Sequence, residues 1–224
     1  MELYIVRVFV DDAGDYGSLT GVVPDATTMS PTEQQQLAHE LGYPETIFVQ
    51  DPGDLRIRTL TPKEEIPFAG QPSVGAAWLL GQLRGTLPQT LKLPCGSISV
   101  WGNGDRVWVQ APLSWMPAWT HEMVPSLKTL EALEGPLDPV QDATQLWTWV
   151  DEEKGHIRAR TFASRFGIHE DESTGSASMQ LAATLGREIC IDHGAGSRIA
   201  AKPGPPGYAA VGGRVVEEER RSLK

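Results

Sequence analysis

The chain has 224 residues, 40% of them hydrophobic, and only two cysteines, Cys95 and Cys190. It is long enough to bury a core without staples, and two thiols exclude a disulfide framework and a four-cysteine zinc site. With 29 acidic against 19 basic side chains the net charge is −10, which argues against nucleic acid as a partner and leaves room for a small anionic ligand at a local site.

Residues 3–10 are nearly all apolar or β-branched and predict a strand covered on both faces. The opening segment 1–10 carries charge at Glu2 and Arg7, so it does not read as a secretory signal, and the cytoplasm is the expected compartment. Residues 19–23 return as a second strand. Ser30-Pro31-Thr32-Glu33 predicts a helix start with Ser30 as N-cap and Glu33 closing a capping box, and Gly42 ends that helix. Strands over 45–50 and 55–60 flank the turn Asp51-Pro52-Gly53-Asp54. The uncharged stretch 66–83 contains Pro67, Gly70, Pro72, Gly75 and Gly81, so it predicts a buried helix and not a membrane span. A hairpin follows, its strands meeting at Gly102-Asn103-Gly104-Asp105. Residues 112–140 are Pro-rich, with a short helix expected near 126–133. Paired strands over 146–150 and 156–162, a helix near 178–185 and further strands to Val216 complete the pattern, and the charged run 217–224 predicts a frayed tail.

The two apolar helices belong to a repeat. Arg58-Thr59 leads to Gly70-Gln71-Pro72-Ser73 and the first; Arg160-Thr161 leads to Thr174-Gly175-Ser176-Ala177 and the second. Gly70 and Gly175 lie 105 positions apart, and at the same offset Ala77 matches Ala182, Leu80 matches Leu185 and Gly81 matches Gly186. Helices with almost no polar face must be surrounded, and mostly strands are available to do it. The expected fold is therefore α+β: two similar halves, each a curved, mostly antiparallel or mixed sheet wrapped around a central buried helix. Residues 1–111 form one half with its helix over about 73–83, and residues 112–224 the other with its helix over about 175–186.

Three segments carry a family resemblance. Residues 55–78 (Leu-Arg-Ile-Arg-Thr-Leu-Thr-Pro-Lys-Glu-Glu-Ile-Pro-Phe-Ala-Gly-Gln-Pro-Ser-Val-Gly-Ala-Ala-Trp), 44–49 (Pro-Glu-Thr-Ile-Phe-Val) and 160–177 (Arg-Thr-Phe-Ala-Ser-Arg-Phe-Gly-Ile-His-Glu-Asp-Glu-Ser-Thr-Gly-Ser-Ala) resemble the hallmark motifs of the PhzF-like phenazine-biosynthesis family. The resemblance implies a diaminopimelate-epimerase-like fold, a site between the halves, a homodimer, and a cofactor-free isomerisation of a small carboxylic acid. It implies Glu45 as general acid/base, Asp171 as a second catalytic carboxylate that binds or orients the ligand, and Gly70, Gln71, Ser73, Thr174, Gly175 and Ser176 as substrate-binding residues.

The residues themselves are compatible with that chemistry. Gly70 and Gly175 stand where two helices begin, and unpaired N–H groups at the positive dipole end attract an anion; ordinary capping is the alternative. A carboxyl at Glu45 among apolar neighbours would be pushed up towards neutrality, as proton shuttling needs, whereas alone it reads as a solvated strand-end charge. Asp171, in Glu170-Asp171-Glu172, reads equally as dipole-complementing charge. One position departs from the family: Gln71 stands where the pattern has histidine, and glutamine can bind but cannot titrate. This keeps open a non-catalytic small-acid-binding or interaction protein on the same scaffold. The cysteines fall beyond the two helices, which argues against two-thiol racemisation. The five histidines show no metal-ligand spacing, so no metal is expected. The seven tryptophans, Trp78, Trp101, Trp108, Trp115, Trp119, Trp147 and Trp149, could line the pocket of a ring-shaped ligand, but Trp101 and Trp108 flank the hairpin turn, so core or interface packing is the expectation.

Overall fold

The computed structural model describes residues 1–138 and 143–223, so the end of the Pro-rich stretch, at 139 and 140, and Lys224 lie outside it. The apolar opening run forms β1 (Glu2–Val10), antiparallel to β2 (Ser18–Val23). Helix α1 (Pro31–Leu41) carries the expected capping box: Ser30 Oγ accepts from the Glu33 N–H at 3.3 Å, and Glu33 Oε2 accepts from the Ser30 N–H at 2.7 Å. It crosses to β3 (Glu45–Asp51), parallel to β2, and β4 (Arg56–Leu60) returns antiparallel with the short β5 (Glu65–Ile66) on its flank.

Helix α2 (Gly70–Arg84) then enters the interior. Pro72 fits its first turn because the N–H it lacks would have had no helical acceptor. The strands β6 (Thr90–Leu93), β7 (Gly96–Asn103) and β8 (Arg106–Pro112) follow. The β7–β8 turn is tighter than the sequence suggests: Asn103 pairs with Arg106, and Gly104, at φ 63, supplies the left-handed residue.

The second half has β9 (Thr120–Met123), the short α3 (Leu127–Glu131), β10 (Thr144–Asp151), β11 (His156–Ala163), β12 (Ile168–Asp171), α4 (Gly175–Leu185), β13 (Ile189–His193), β14 (Ser197–Pro203) and β15 (Tyr208–Ser222). Its strand order continues that of the first. The path β1-β2-β3-β4-β6-β7-β8-β15 closes on itself because β15 also pairs with β1, and from β15 the sheet runs on through β14, β13, β11 and β10 to β9. Both α2 and α4 contribute to one apolar core, with Val74, Ala77, Leu79, Met179, Leu181 and Ala182 shielded by strand side chains such as Val6, Ile47, Val109, Ile191 and Val211.

The repeat is legible in detail. Arg58 on β4 grips Glu65 on β5 with Nε and Nη2 at 3.0 and 2.5 Å; Arg160 on β11 grips Glu170 on β12 with both contacts at 2.7 Å. The two helices match at their starts but not at their ends: Gly186 caps α4 at φ 65, whereas Gly81 lies inside the longer α2 against Leu87.

The expectation of a frayed tail fails. Residues 217–222 belong to β15 and pair with β1, Val6 opposite Glu217 and Glu2 opposite Ser222. Their charges sit in solvent along the strand, where Arg220 Nε meets Glu2 at 2.8 Å and Glu218 meets Arg7 Nε at 2.9 Å, while the backbone satisfies the β1 ladder. Charge marks an exposed strand edge here, not disorder. Among the described residues no helix is long and apolar enough to cross a membrane.

Candidate active site

The N-terminal ends of α2 and α4 meet. A Cβ placed on Gly175 would lie 3.2 Å from the Gln71 nitrogen and 3.7 Å from the Gly70 carbonyl carbon, and one on Gly70 would lie 3.8 Å from the Gly175 carbonyl carbon. Glycine at 175 thus eases the approach of the two helix starts, whereas a Cβ at 70 would press on Val211 at 3.0 Å. Phe9, held at φ 68 in a bulge of β1, fills the space beside Gly175.

Each half brings one carboxylate to this region. Glu45 opens β3 opposite Thr20 on β2, and Asp171 closes β12 opposite Thr161 on β11. The Glu45 residue keeps partial solvent access, yet its carboxyl forms no hydrogen bond with a described residue. Loss of hydration, reinforced by the negative charge of Asp171, pushes it up to about 8. Asp171 is placed by the loop that starts α4: its Oδ2 accepts from Thr174 Oγ1 at 2.6 Å and its Oδ1 from the Ser173 N–H at 3.4 Å.

The remaining sequence-selected residues gather around the same helix starts, several with their polar groups engaged. Gln71 Nε2 donates to the Ser18 carbonyl at 3.1 Å and to Thr20 Oγ1 at 2.9 Å. The Ser73 hydroxyl donates to the Ala69 carbonyl at 2.7 Å, and Ser176 Oγ accepts from the Trp119 indole N–H at 3.0 Å. Ser173 Oγ donates to Ser18 Oγ at 2.7 Å, tying the α4 loop to β2 across the two halves.

Sequence reasoning did not select Ser18, Thr20, His193 or Glu172. His193 is fully buried; its Nδ1–H donates to the Glu172 carbonyl at 2.9 Å, which leaves Nε2 to accept from Thr161 Oγ1 at 2.8 Å. Burial holds this imidazole below its ordinary value, against the pull of Asp171. The Glu172 carboxylate, just past the end of β12, accepts from the Ala195 N–H at 2.7 Å and from Ser197 Oγ at 2.5 Å. No spacing rule links 161, 172 and 193, because the sheet alone assembles them. On the Glu170 and Glu172 side lies an open polar cavity of about 610 Å³ lined by Arg158 and Arg160. Both guanidiniums are already engaged there by Glu131, Glu170 and backbone carbonyls, so the cavity lacks a free cation for an anionic ligand. Burial raises both thiols, which disfavours thiolate chemistry. Among the described residues no group of three or more His, Cys, Asp and Glu could hold a metal ion.

Residues 6–148 match the model of the phenazine biosynthesis-like proteins, PhzC–PhzF. The chain is 28% identical to a trans-2,3-dihydro-3-hydroxyanthranilate isomerase of Pseudomonas aeruginosa, over 80% of this chain and 77% of that one. Its fold is that of a PhzF-family protein of Bacillus anthracis (TM-score 0.81, 19% identity, 100% of this chain and 99% of the other) and of a PhzC/PhzF protein of Clostridium difficile (TM-score 0.80, 18% identity, 100% and 99%). The matched segment takes in the first central helix, the Glu45 strand and most of the closed sheet, and the chain belongs to the PhzF-like phenazine-biosynthesis family.

Proposed function

We propose that this protein is an isomerase that moves a proton within a small cyclic or unsaturated carboxylic acid, with Glu45 as the general acid/base. The observation that carries this reading is the Glu45 carboxyl: hydrogen-bonded to no described residue, pushed up to about 8, and set beside Asp171. The ionised carboxylate takes a proton from one carbon; the electron pair of that C–H bond shifts along the unsaturated system; the carboxylic acid so formed returns the proton to another carbon. Electrons balance within the substrate, so the reaction is redox-neutral and Glu45 ends as it began. The N–H groups of α4 around Gly175 and the Ser176 hydroxyl hold the substrate carboxylate, and the helix dipole supplies positive potential in an acidic protein. Burial, with the charge of Asp171 adding to it, keeps the Glu45 proton affinity near neutrality. The Pseudomonas aeruginosa relative, named as an isomerase of trans-2,3-dihydro-3-hydroxyanthranilate, supports the reading.

The test is incubation with cyclohexadiene and aromatic carboxylates in deuterated water. Deuterium should enter the bound acid, and Glu45→Gln should slow its entry by at least about a hundredfold. One observation favours a second reading, a small-acid-binding protein: Gln71 cannot titrate, and its amide is committed to Ser18 and Thr20. That reading predicts binding with no deuterium incorporation.

A further inference from the structure

The second residue of each central helix is fastened to the chain segment that faces it. In the first half Gln71 bonds Thr20; in the second, Ser176 Oγ bonds the indole of Trp119 at 3.0 Å. An indole N–H only donates, so the Ser176 oxygen accepts and its own hydroxyl proton remains to be given elsewhere. One turn along the same face of α4, Gln180 secures the Trp119 segment from both sides. Its Oε1 accepts from the Trp119 backbone N–H at 3.3 Å, and its Nε2 donates to the Pro117 carbonyl at 2.8 Å.

A second ring arrives from a different part of the chain. Phe166, in the tight turn that Gly167 closes at φ 78, places its ring 5.7 Å from that of Trp119, inclined by 49°. It is 43% exposed, and neither ring belongs to an apolar core cluster. Two aromatic side chains thus converge beside Ser176 with apolar surface open to solvent.

We infer that Trp119 is a specificity-determining residue of this site. With Phe166 it forms a wall for a planar unsaturated ring, and through its N–H it turns the Ser176 hydroxyl proton towards the carboxylate carried by that ring. The inference rests on the small-acid reading above and adds the residue that selects the ring.

The experiment titrates benzoate and cyclohexanecarboxylate, which share the carboxylate and differ in ring planarity, into the full chain carrying ¹⁵N-labelled tryptophan. Benzoate should bind about 3–10-fold more tightly than the saturated acid, the worth of an aromatic pair beyond area burial, and should move the Trp119 indole resonance. Trp119→Leu should bring that ratio to about one. Trp119→Phe keeps a ring but loses the donor, so it should retain the ratio while weakening both acids about 2–10-fold. Glu45→Gln should leave the ratio unchanged, so loss of isomerisation with the ratio intact separates the wall from the chemistry. An unaltered ratio in Trp119→Leu, an indole signal that stays still while benzoate binds, or binding of neither acid would each overturn the inference.

Discussion

Gln71 gives both ends of its amide to Thr20: Nε2 lies 2.9 Å from the threonine oxygen and Oε1 lies 3.1 Å from it. Thr20 in turn stands opposite Glu45 on the neighbouring parallel strand. Gln71 therefore fastens the start of α2 to the strand that runs beside Glu45. Gln71→Ala should leave the Ser18 carbonyl and the Thr20 hydroxyl without this partner in a buried setting and cost about 1–3 kcal/mol of stability, measurable by urea denaturation. A neutral effect would show that the amide contributes little to fixing β2.

The pH dependence of turnover follows from Glu45. If the ionised carboxylate removes the proton, kcat/KM should rise with pH, reach half its maximum near 8 and level off above that. Asp171→Asn removes the neighbouring negative charge, so the rise should shift to lower pH. An unshifted profile in that variant would separate Asp171 from the electrostatics of the site.

Stability carries the same signature with the opposite slope. Glu45 ionises near 4.5 in the unfolded chain and near 8 in the fold, so the fold retains its proton more tightly. The contribution to stability is fully present below about 4.5 and is lost as pH rises through 8. Glu45→Gln has no such proton to lose. The Tm of the wild type should fall relative to that of Glu45→Gln between pH 5 and about 8.5, and parallel Tm curves would contradict the assignment.

The charged end of the chain is a structural strand. Removing residues 217–224 strips β1 of its β15 partner from Glu2 to Val6, leaving only β2 on its other side. It leaves the edge of a strand whose Leu3, Tyr4, Ile5 and Val6 side chains are buried. The truncated chain should melt at lower temperature and aggregate on concentration, as read by scanning calorimetry and light scattering. A truncation with unchanged Tm would show that the β1 ladder is dispensable there.

The elements that the sequence announced are those whose signals are local. The Ser30–Glu33 box, the turn at Asp51 and the apolar run of β1 each depend on neighbouring residues, and each appears where expected. The buried helices were legible because a helix without a polar face has only one kind of place to go. The tail was misread because a run of charged residues describes an exposed strand edge as well as a solvated coil, and only pairing with a strand more than 200 positions away decides between them. The site divides in the same way. Glu45, Gly70, Asp171 and Gly175 lie in recognisable motifs. The partners that set their environment, Ser18, Thr20, Trp119 and His193, come from strands and loops brought close only by the closed sheet. Their spacing in the sequence carries no trace of that contact.

The central claim is that Glu45 holds a proton at neutral pH beside Asp171, where the two helix starts meet. The most direct test is a carbon-13 NMR titration of the Glu45 side-chain carboxyl in this chain. The account predicts a midpoint near 8 in the wild type and a lower one in Asp171→Asn. A wild-type midpoint at the ordinary glutamate value of about 4.3 would contradict it, because so acidic a carboxyl is too weak a base to draw a proton from carbon as the proposed isomerisation requires.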